Sequence, residues 1–222
     1  MAEMILLSWS GGKDSAFTLH ELQKSGAYQV ASLVTTVTEG FDRISMHGVR
    51  RALLEQQAES IGIPLDIVWI SQRSSNEEYE AKMRVVLEKY QQAGIERVAF
   101  GDIFLEDLRR YRETNLARIG MKALFPLWKR DTGEMARSFV QEGFRAFVCC
   151  VDTQALDGRF VGREFDERFL ADLPATVDPC GENGEFHSFV FGGPIFGRPV
   201  PVQTGEITLR DERFNYCDLI PA

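Results

Sequence analysis

Short apolar segments alternate with longer segments of helical periodicity along the first 151 residues of this chain. Apolar runs typical of strands occupy residues 4–8, 29–37, 65–70, 97–100 and 146–151. Helical patterns lie between them, at residues 14–24, 49–60, 76–93, 107–119 and 132–141. This order indicates βαβ units, and it predicts an α/β fold with a doubly wound parallel sheet. Right-handed crossovers would bring the strand ends to one edge, where ligands are expected.

The composition of the chain changes after residue 151. Six of the eight prolines lie in the last fifty residues, and glycines are frequent between Gly181 and Gly205. Residues 207–210 and 214–219 are typical of a β-hairpin around the Asp211-Glu212 turn. We therefore expect a first domain at 1–151 and a smaller C-terminal α+β subdomain at 152–222.

Composition narrows the classes of partner. The 25 basic residues against 33 acidic ones give a formal net charge of -8, which makes nucleic acid an unlikely partner. Glu3 and a short apolar run at the start of the chain favour neither a signal peptide nor a membrane segment, so a cytoplasmic protein is expected. The four cysteines lack C-x-x-C spacing and are expected to be buried thiols.

The end of the first apolar run carries the most informative motif, a Ser-Gly-Gly turn leading into a helix. The motif consists of Ser10, Gly11, Gly12, Lys13, Asp14 and Ser15. Adjacent glycines let the backbone curl around an anion, and the amides and dipole of the helix start favour phosphate. The motif is neither a Walker A loop, because Asp14 follows Lys13, nor a dinucleotide fingerprint. An ordinary glycine turn with a helix cap is the structural alternative.

This hexapeptide resembles the PP-loop of the N-type ATP pyrophosphatases at every fixed position. The resemblance implies that ATP binds with its β and γ phosphates in the loop. Its α phosphorus would then be open to a nucleophile, with release of pyrophosphate and formation of an adenylated substrate. On this basis residues 1–151 are expected to bind ATP and residues 152–222 to bind the second substrate.

Later segments resemble the diphthine-ammonia ligase family and its bacterial relatives. These are Gly101-Asp102-Ile103, residues 106–113, Phe125-Pro126-Leu127-Trp128 and residues 180–189. The resemblance implies an ATP-dependent amide ligase that adenylates a carboxylate and transfers ammonia to it. The implied acceptor is diphthine, a modified histidine of translation elongation factor two, although a bacterial host would need another acceptor. Asn183 replaces a glycine that is usual in the diphthamide enzymes.

Two aspartates and a glycine are candidates for the nucleotide site. Gly101 and Asp102 follow the strand at 97–100, so they are expected at the same sheet edge as the PP-loop. Asp14 and Asp102 are expected to act in catalysis and to bind Mg²⁺ beside the phosphates, while N-capping or loop capping is the alternative for each.

Glu182, Glu185 and His187 lie in the glycine-rich segment before Pro194. We expect them to act in catalysis, by binding the acceptor or accepting a proton from ammonia, with a solvated loop as the alternative. His47 precedes a helix, and a structural role is favoured there. A run of basic residues, made up of Arg109, Arg110, Arg112, Arg118 and Lys122, is expected to form a salt-bridged face because acids are interleaved.

Two other functions stay open. A PP-loop enzyme that modifies tRNA is one, although Cys149 and Cys150 are adjacent and would not face one site together. A noncatalytic ATP sensor is the other, since a fold does not fix a function. The expected partners of an amide ligase are ATP, free or delivered ammonia, and a carboxylate acceptor, and a homodimer is one assembly to consider. No membrane partner is expected.

Overall fold

The computed structural model describes residues 2–44, 48–72 and 74–222. The strands are β1 (Glu3–Ser8), β2 (Tyr28–Thr38), β3 (Arg43–Ile44), β4 (Leu65–Ile70), β5 (Arg97–Ala99), β6 (Lys122–Leu124), β7 (Arg145–Asp152), β8 (Phe186–Gly192), β9 (Val202–Arg210) and β10 (Phe214–Pro221). The helices are α1 (Lys13–Ser25), α2 (Arg51–Ile61), α3 (Asn76–Gln92), α4 (Glu106–Ala117), α5 (Thr132–Gln141) and α6 (Glu167–Asp172), with a 3-10 turn at Gly158–Phe160.

The first sheet is mostly parallel. Strand β1 pairs with β2 on one side and β5 on the other, β4 extends the sheet beyond β2, and β6 extends it beyond β5. Among the strands of this sheet that the structure describes, only the two-residue strand β3 runs antiparallel, against the end of β2. The first four predicted strands and all five predicted helices are therefore confirmed, with ends that shift by at most two residues.

Both faces of this sheet are covered. Along β1, Ile5 and Leu7 point into a core that contains residues of α1, α2 and α5. Leu6, between them, points into a second core with residues of α3 and α4. Successive residues of a strand face opposite sides, so this alternation places helices on both faces. The doubly wound α/β fold is confirmed.

The second sheet is antiparallel and has the order β8-β7-β10-β9. The strand predicted at 146–151 forms as β7, but its expected place in the parallel sheet is wrong, because it pairs antiparallel with β8 and β10. A continuous apolar run is typical of any strand that is buried on both faces, so the pattern did not distinguish the two sheets. The domain boundary at 151 stays a prediction.

The C-terminal hairpin is confirmed. Strands β9 and β10 pair across Asp211 and Glu212, which both adopt positive φ. Arg50 and Arg43 form ion pairs with Asp218 at 2.6 and 2.9 Å, which ties β10 to the region of β3 and α2. Strand β8 and helix α6 were not predicted. With β9, β10 and β7, the last of which was expected in the first domain, they form an α+β unit that packs against the first sheet through a shared core.

Candidate functional site

The PP-loop lies between β1 and α1, and its two glycines are packed closely against neighbouring residues. Gly11 has φ +74°, and a Cβ atom there would lie 2.6 Å from Leu54 Cδ2 and 2.7 Å from Gln57 Oε1. A Cβ atom at Gly12 would lie 3.0 Å from the carbonyl oxygen of Ser188. Glycine is therefore required at position 11, while at position 12 a side chain would need the β8 backbone to shift slightly.

Hydroxyl groups hold the start of α1. The N-cap residue Gly12 has no side chain, and Ser188 Oγ of β8 accepts a hydrogen bond from the Lys13 amide at 3.1 Å. The Gly12 amide donates to Ser10 Oγ at 3.3 Å, and Ser15 Oγ donates to the Gly12 carbonyl at 2.9 Å. The Ser10 and Ser15 hydroxyls are 3.2 Å apart. Both predicted serines thus lie at the positive end of a helix, where a phosphate is favoured.

A buried glutamine anchors the same loop from α2. Gln57 Oε1 accepts a hydrogen bond from Trp9 Nε1 at 2.9 Å. Its Nε2 donates to the carbonyls of Gly11 at 3.0 Å and of Val190 at 2.6 Å. The Val190 amide also donates to the Gly11 carbonyl, at 2.9 Å. The loop is thus built from three parts of the chain.

Neither Gln57 nor Ser188 was predicted from the sequence. The one available signal for Gln57 is an amide side chain within the apolar stripe that Leu53, Leu54 and Ala58 give to α2. Such a residue is buried at the cost of its hydration unless it is bonded, so it points to a specific partner. The partner itself was not readable from the sequence.

Lys13 and Asp14 form an ion pair at the loop. Lys13 Nζ lies 2.8 and 2.9 Å from the two carboxylate oxygens of Asp14. Lys13 is buried, while the Asp14 side chain keeps 32% of its surface exposed. Burial lowers the pKa of Lys13, but Asp14, together with Cys180 and Glu182, outweighs this effect, and the pKa is raised overall. Lys13 is therefore a fixed positive charge at the predicted phosphate site.

The end of β5 meets the PP-loop. A Cβ atom at Gly101 would lie 2.9 Å from the backbone carbon of Asp14, so only glycine allows this approach. The sheet edge has thus brought together Gly101 and the loop, as the parallel topology implies.

Asp102 is turned toward α4. Its buried carboxylate lies 2.8 Å from Arg112 Nε and 3.2 Å from Arg112 Nη2. The neighbouring arginines pair with acids, Arg109 with Glu113, Arg110 with Asp107 and Arg118 with Glu80, so the salt-bridged face is observed. Arg112 therefore already neutralises the negative charge of Asp102.

Glu182 bridges the C-terminal motif to the loop after β5. Its Oε1 accepts hydrogen bonds from the amides of Ile103 at 2.7 Å and Phe104 at 3.4 Å. Burial, aided by the negative charge of Asp14, raises the pKa of Glu182 to about 7. This carboxyl group therefore changes protonation near neutral pH, as a general base should.

Glu185 and His187 differ from Glu182 in their surroundings. Glu185 is buried and accepts hydrogen bonds from the amides of Asp178 and Asn183 and from the Asn183 side chain, at 3.0 to 3.1 Å. Glu185 therefore holds its own loop in place.

Burial, together with the positive charge of Lys13, lowers the pKa of His187 to about 4. His187 is consequently neutral at physiological pH.

Asp14 fits a magnesium ion better than Asp102 does. No group of three or more His, Cys, Asp or Glu side chains that suits a metal exists among residues 2–44, 48–72 and 74–222. The partly exposed carboxylate of Asp14 fits a cation that is shared with nucleotide phosphates. Asp102 fits less well, because Arg112 holds it. The magnesium assignments stay predictions, and His47 lies outside the described residues.

The cysteines are free and buried, as expected. Burial raises the pKa of Cys149, of Cys150 to about 11 and of Cys180 to about 12. Thiols of this kind are poor nucleophiles at neutral pH.

The fold and the loop define the class of the protein, an α/β protein with a PP-loop-like turn after its first strand. Comparison with known proteins makes this more specific. A profile of the diphthamide synthase N-terminal domain matches residues 3–123, and a profile of the diphthamide synthase C-terminal domain matches residues 131–219. The chain belongs to the diphthamide synthase family, and it is a ligase-type enzyme.

Curated relatives carry the name diphthine-ammonia ligase. The human protein is 25% identical over 226 residues, which cover 90% of this chain and 83% of the human one. The zebrafish protein (Danio rerio) is 24% identical, over 91% of this chain and 88% of its own length. The protein from Schizosaccharomyces pombe is 26% identical, but the match covers only 36% of that longer chain. No described helix of the present chain is long and apolar enough to cross a membrane.

Proposed function

We propose that the protein is an ATP-dependent amide ligase, which adenylates a carboxylate and then transfers ammonia to it. The observation that carries this proposal is the meeting of three segments at one sheet edge. The PP-loop packs on Gly101, and Glu182 of the C-terminal motif binds the amides that follow Asp102. The family match supports the ligase class, and the geometry supports a single site built from these three segments.

In the first step an acceptor carboxylate oxygen attacks the α phosphorus of ATP, an acyl adenylate forms, and pyrophosphate leaves. Three groups are suited to stabilise the negative charge of the leaving pyrophosphate. They are the start of α1, the hydroxyls of Ser10 and Ser15, and the ammonium group of Lys13. A magnesium ion beside Asp14 would neutralise further phosphate charge. Positioning and electrostatic stabilisation are the main contributions a protein makes to such chemistry.

In the second step ammonia attacks the acyl carbon, the amide forms, and AMP leaves. The attacking nitrogen must lose a proton, and we assign this proton to the Glu182 carboxylate, whose pKa of about 7 suits transfer near neutral pH. His187, with a pKa of about 4, is suited to orient the acceptor as a neutral hydrogen-bonding group. Glu185 would act indirectly, by shaping the loop that carries Glu182.

Diphthine is the acceptor that the names of the relatives suggest, and we propose it for this chain where the host makes diphthine. In another host a different carboxylate would be the acceptor. Free ammonia or a partner would supply the nitrogen. A cytoplasmic location and a homodimer stay predictions.

The test is turnover of α-phosphate-labelled ATP with magnesium and ammonium, with and without elongation factor two that carries diphthine. We expect labelled AMP only with the acceptor, and loss of AMP in Asp14→Asn. Asp107→Asn is the matched control, because that side chain on α4 is fully exposed. Tight ATP binding without AMP under any condition, including with a cell extract as acceptor source, would favour the sensor. AMP formation that depends on added tRNA would favour the tRNA-modifying alternative.

A further inference from the structure

A cavity lies between α3 and α4, on the face of the first sheet opposite α1. It measures about 70 Å³. Its walls are apolar and aromatic, and they include Met83, Leu87, Leu116, Tyr79, Phe100 and Tyr111. The proposed ligase chemistry makes no use of this cavity.

The size of the cavity suits one edge of a ring. A closed apolar cavity that holds benzene measures about 150 Å³, so about 70 Å³ admits part of a six-membered ring. The other edge of the ring, with any substituent on it, then lies at the open rim. The aromatic walls favour a flat ring, because stacked and edge-on contacts add to the area that is buried.

The rim of the cavity carries excess positive charge. Three arginines line it, Arg84, Arg112 and Arg118, together with the single acid Glu80. Arg118 pairs with Glu80 at 3.1 Å, and Arg112 pairs with Asp102 at 2.8 Å. Arg84 forms no ion pair with any residue that the structure describes, so one guanidinium at the rim is uncompensated.

Arg112 closes the inner end of the cavity. Its guanidinium stacks on Phe100, with 4.4 Å from Cζ to the ring centroid. It also pairs with the buried carboxylate of Asp102, which lies 2.8 Å from Nε and 3.2 Å from Nη2. Arg112 is therefore already neutralised, and Arg84 is the guanidinium left to pair with a ligand.

We propose that the cavity between α3 and α4 binds a small aromatic carboxylate. The ring lies between Tyr79, Tyr111 and Leu116, and the carboxylate pairs with Arg84 at the rim. An arginine and a carboxylate form the strongest common type of charge-assisted hydrogen bond, which sets the preference for an acid over a neutral ring. This site is separate from the PP-loop.

The experiment titrates the full-length protein with benzoate and follows binding by protein-observed NMR. Benzamide, which has nearly the same shape without the charge, is the matched neutral probe. A ligand of this size is expected to bind with a Kd on the order of 1 mM. We expect benzamide to bind about tenfold more weakly than benzoate, which corresponds to loss of one charged contact.

Two variants locate the site. Arg84→Gln is expected to weaken benzoate binding about tenfold and to leave benzamide binding unchanged. Arg110→Gln, a change of an exposed arginine of α4 that does not line this cavity, should leave both unchanged. Both positions are exposed, so both variants should fold. No benzoate binding up to about ten times the expected Kd, equal binding of both probes, or equal loss in the two variants would overturn the proposal.

Discussion

Replacement of Gln57 by leucine tests whether one buried amide holds the PP-loop. The side chain is fully buried and makes three hydrogen bonds, to the Trp9 indole and to the carbonyls of Gly11 and Val190. Gly11 would keep its bond from the Val190 amide. Trp9, however, is 2% exposed, so its indole N–H would be left buried without this acceptor.

The expected loss of stability follows from the unpaired indole N–H of Trp9. A buried donor without a partner costs about 1 to 3 kcal/mol, and the lost bond to Val190 adds roughly 0.5 to 1.5 kcal/mol. We therefore expect Gln57→Leu to lower the free energy of unfolding by about 2 to 4 kcal/mol. For a domain of this size that corresponds to a fall in Tm of roughly 4 to 16 °C. The affinity for ATP should fall as well, because the Gly11 carbonyl loses one of its two donors.

The assay is calorimetric unfolding together with an ATP titration. Gln56→Leu is the matched control, since Gln56 is next to Gln57 on α2 and its Oε1 is buried without a partner among the described residues. That change should be neutral or stabilising, because it removes an unsatisfied polar atom. Equal unfolding temperatures for Gln57→Leu and the wild type would refute the assignment of Gln57 as an anchor of the loop.

Three further predictions concern the same site. Gly11→Ala should abolish ATP binding, whereas Gly26→Ala, which also has positive φ but open space around it, should cost only about 1 kcal/mol of stability; isothermal titration and thermal unfolding separate the two effects. At a fixed concentration of free NH3, amide formation should rise with pH through about 7 as Glu182 loses its proton, and Glu182→Gln should remove that limb of the pH profile; an unchanged profile would exclude Glu182 as the base. Arg112→Gln should lower stability by roughly 2 kcal/mol or more, because it leaves a buried carboxylate unpaired, while Arg110→Gln should change it by less than about 0.5 kcal/mol in denaturant titrations.

The fold was largely predictable because its elements carry strong periodic patterns. Strand β4 and helix α5 have the predicted bounds, and α1 begins directly after the Gly11-Gly12 turn. The error at β7 has a physical origin, since its apolar run does not encode which strands it will pair with. Strand β8 was missed because it lies among glycines and prolines that are typical of loops.

The candidate site was predictable in part. The sequence indicates that Gly101 and the PP-loop share an edge, because parallel strands end together. It does not indicate that Asp102 turns to Arg112 or that Glu185 turns into its own loop, because these choices depend on packing between distant segments. The anchors of the loop were hidden for the same reason.

The bonds between the PP-loop and β8 also constrain how this protein is made. Lys13 and Ser188 are separated by 175 positions in the chain, yet they share a hydrogen bond at the start of α1. During synthesis the first sheet can form from local βαβ units long before β8 leaves the ribosome. Until β8 forms, the PP-loop would lack its hydrogen bonds to Ser188 and Val190. A nascent chain should therefore acquire its affinity for nucleotide late, after most of its secondary structure is in place.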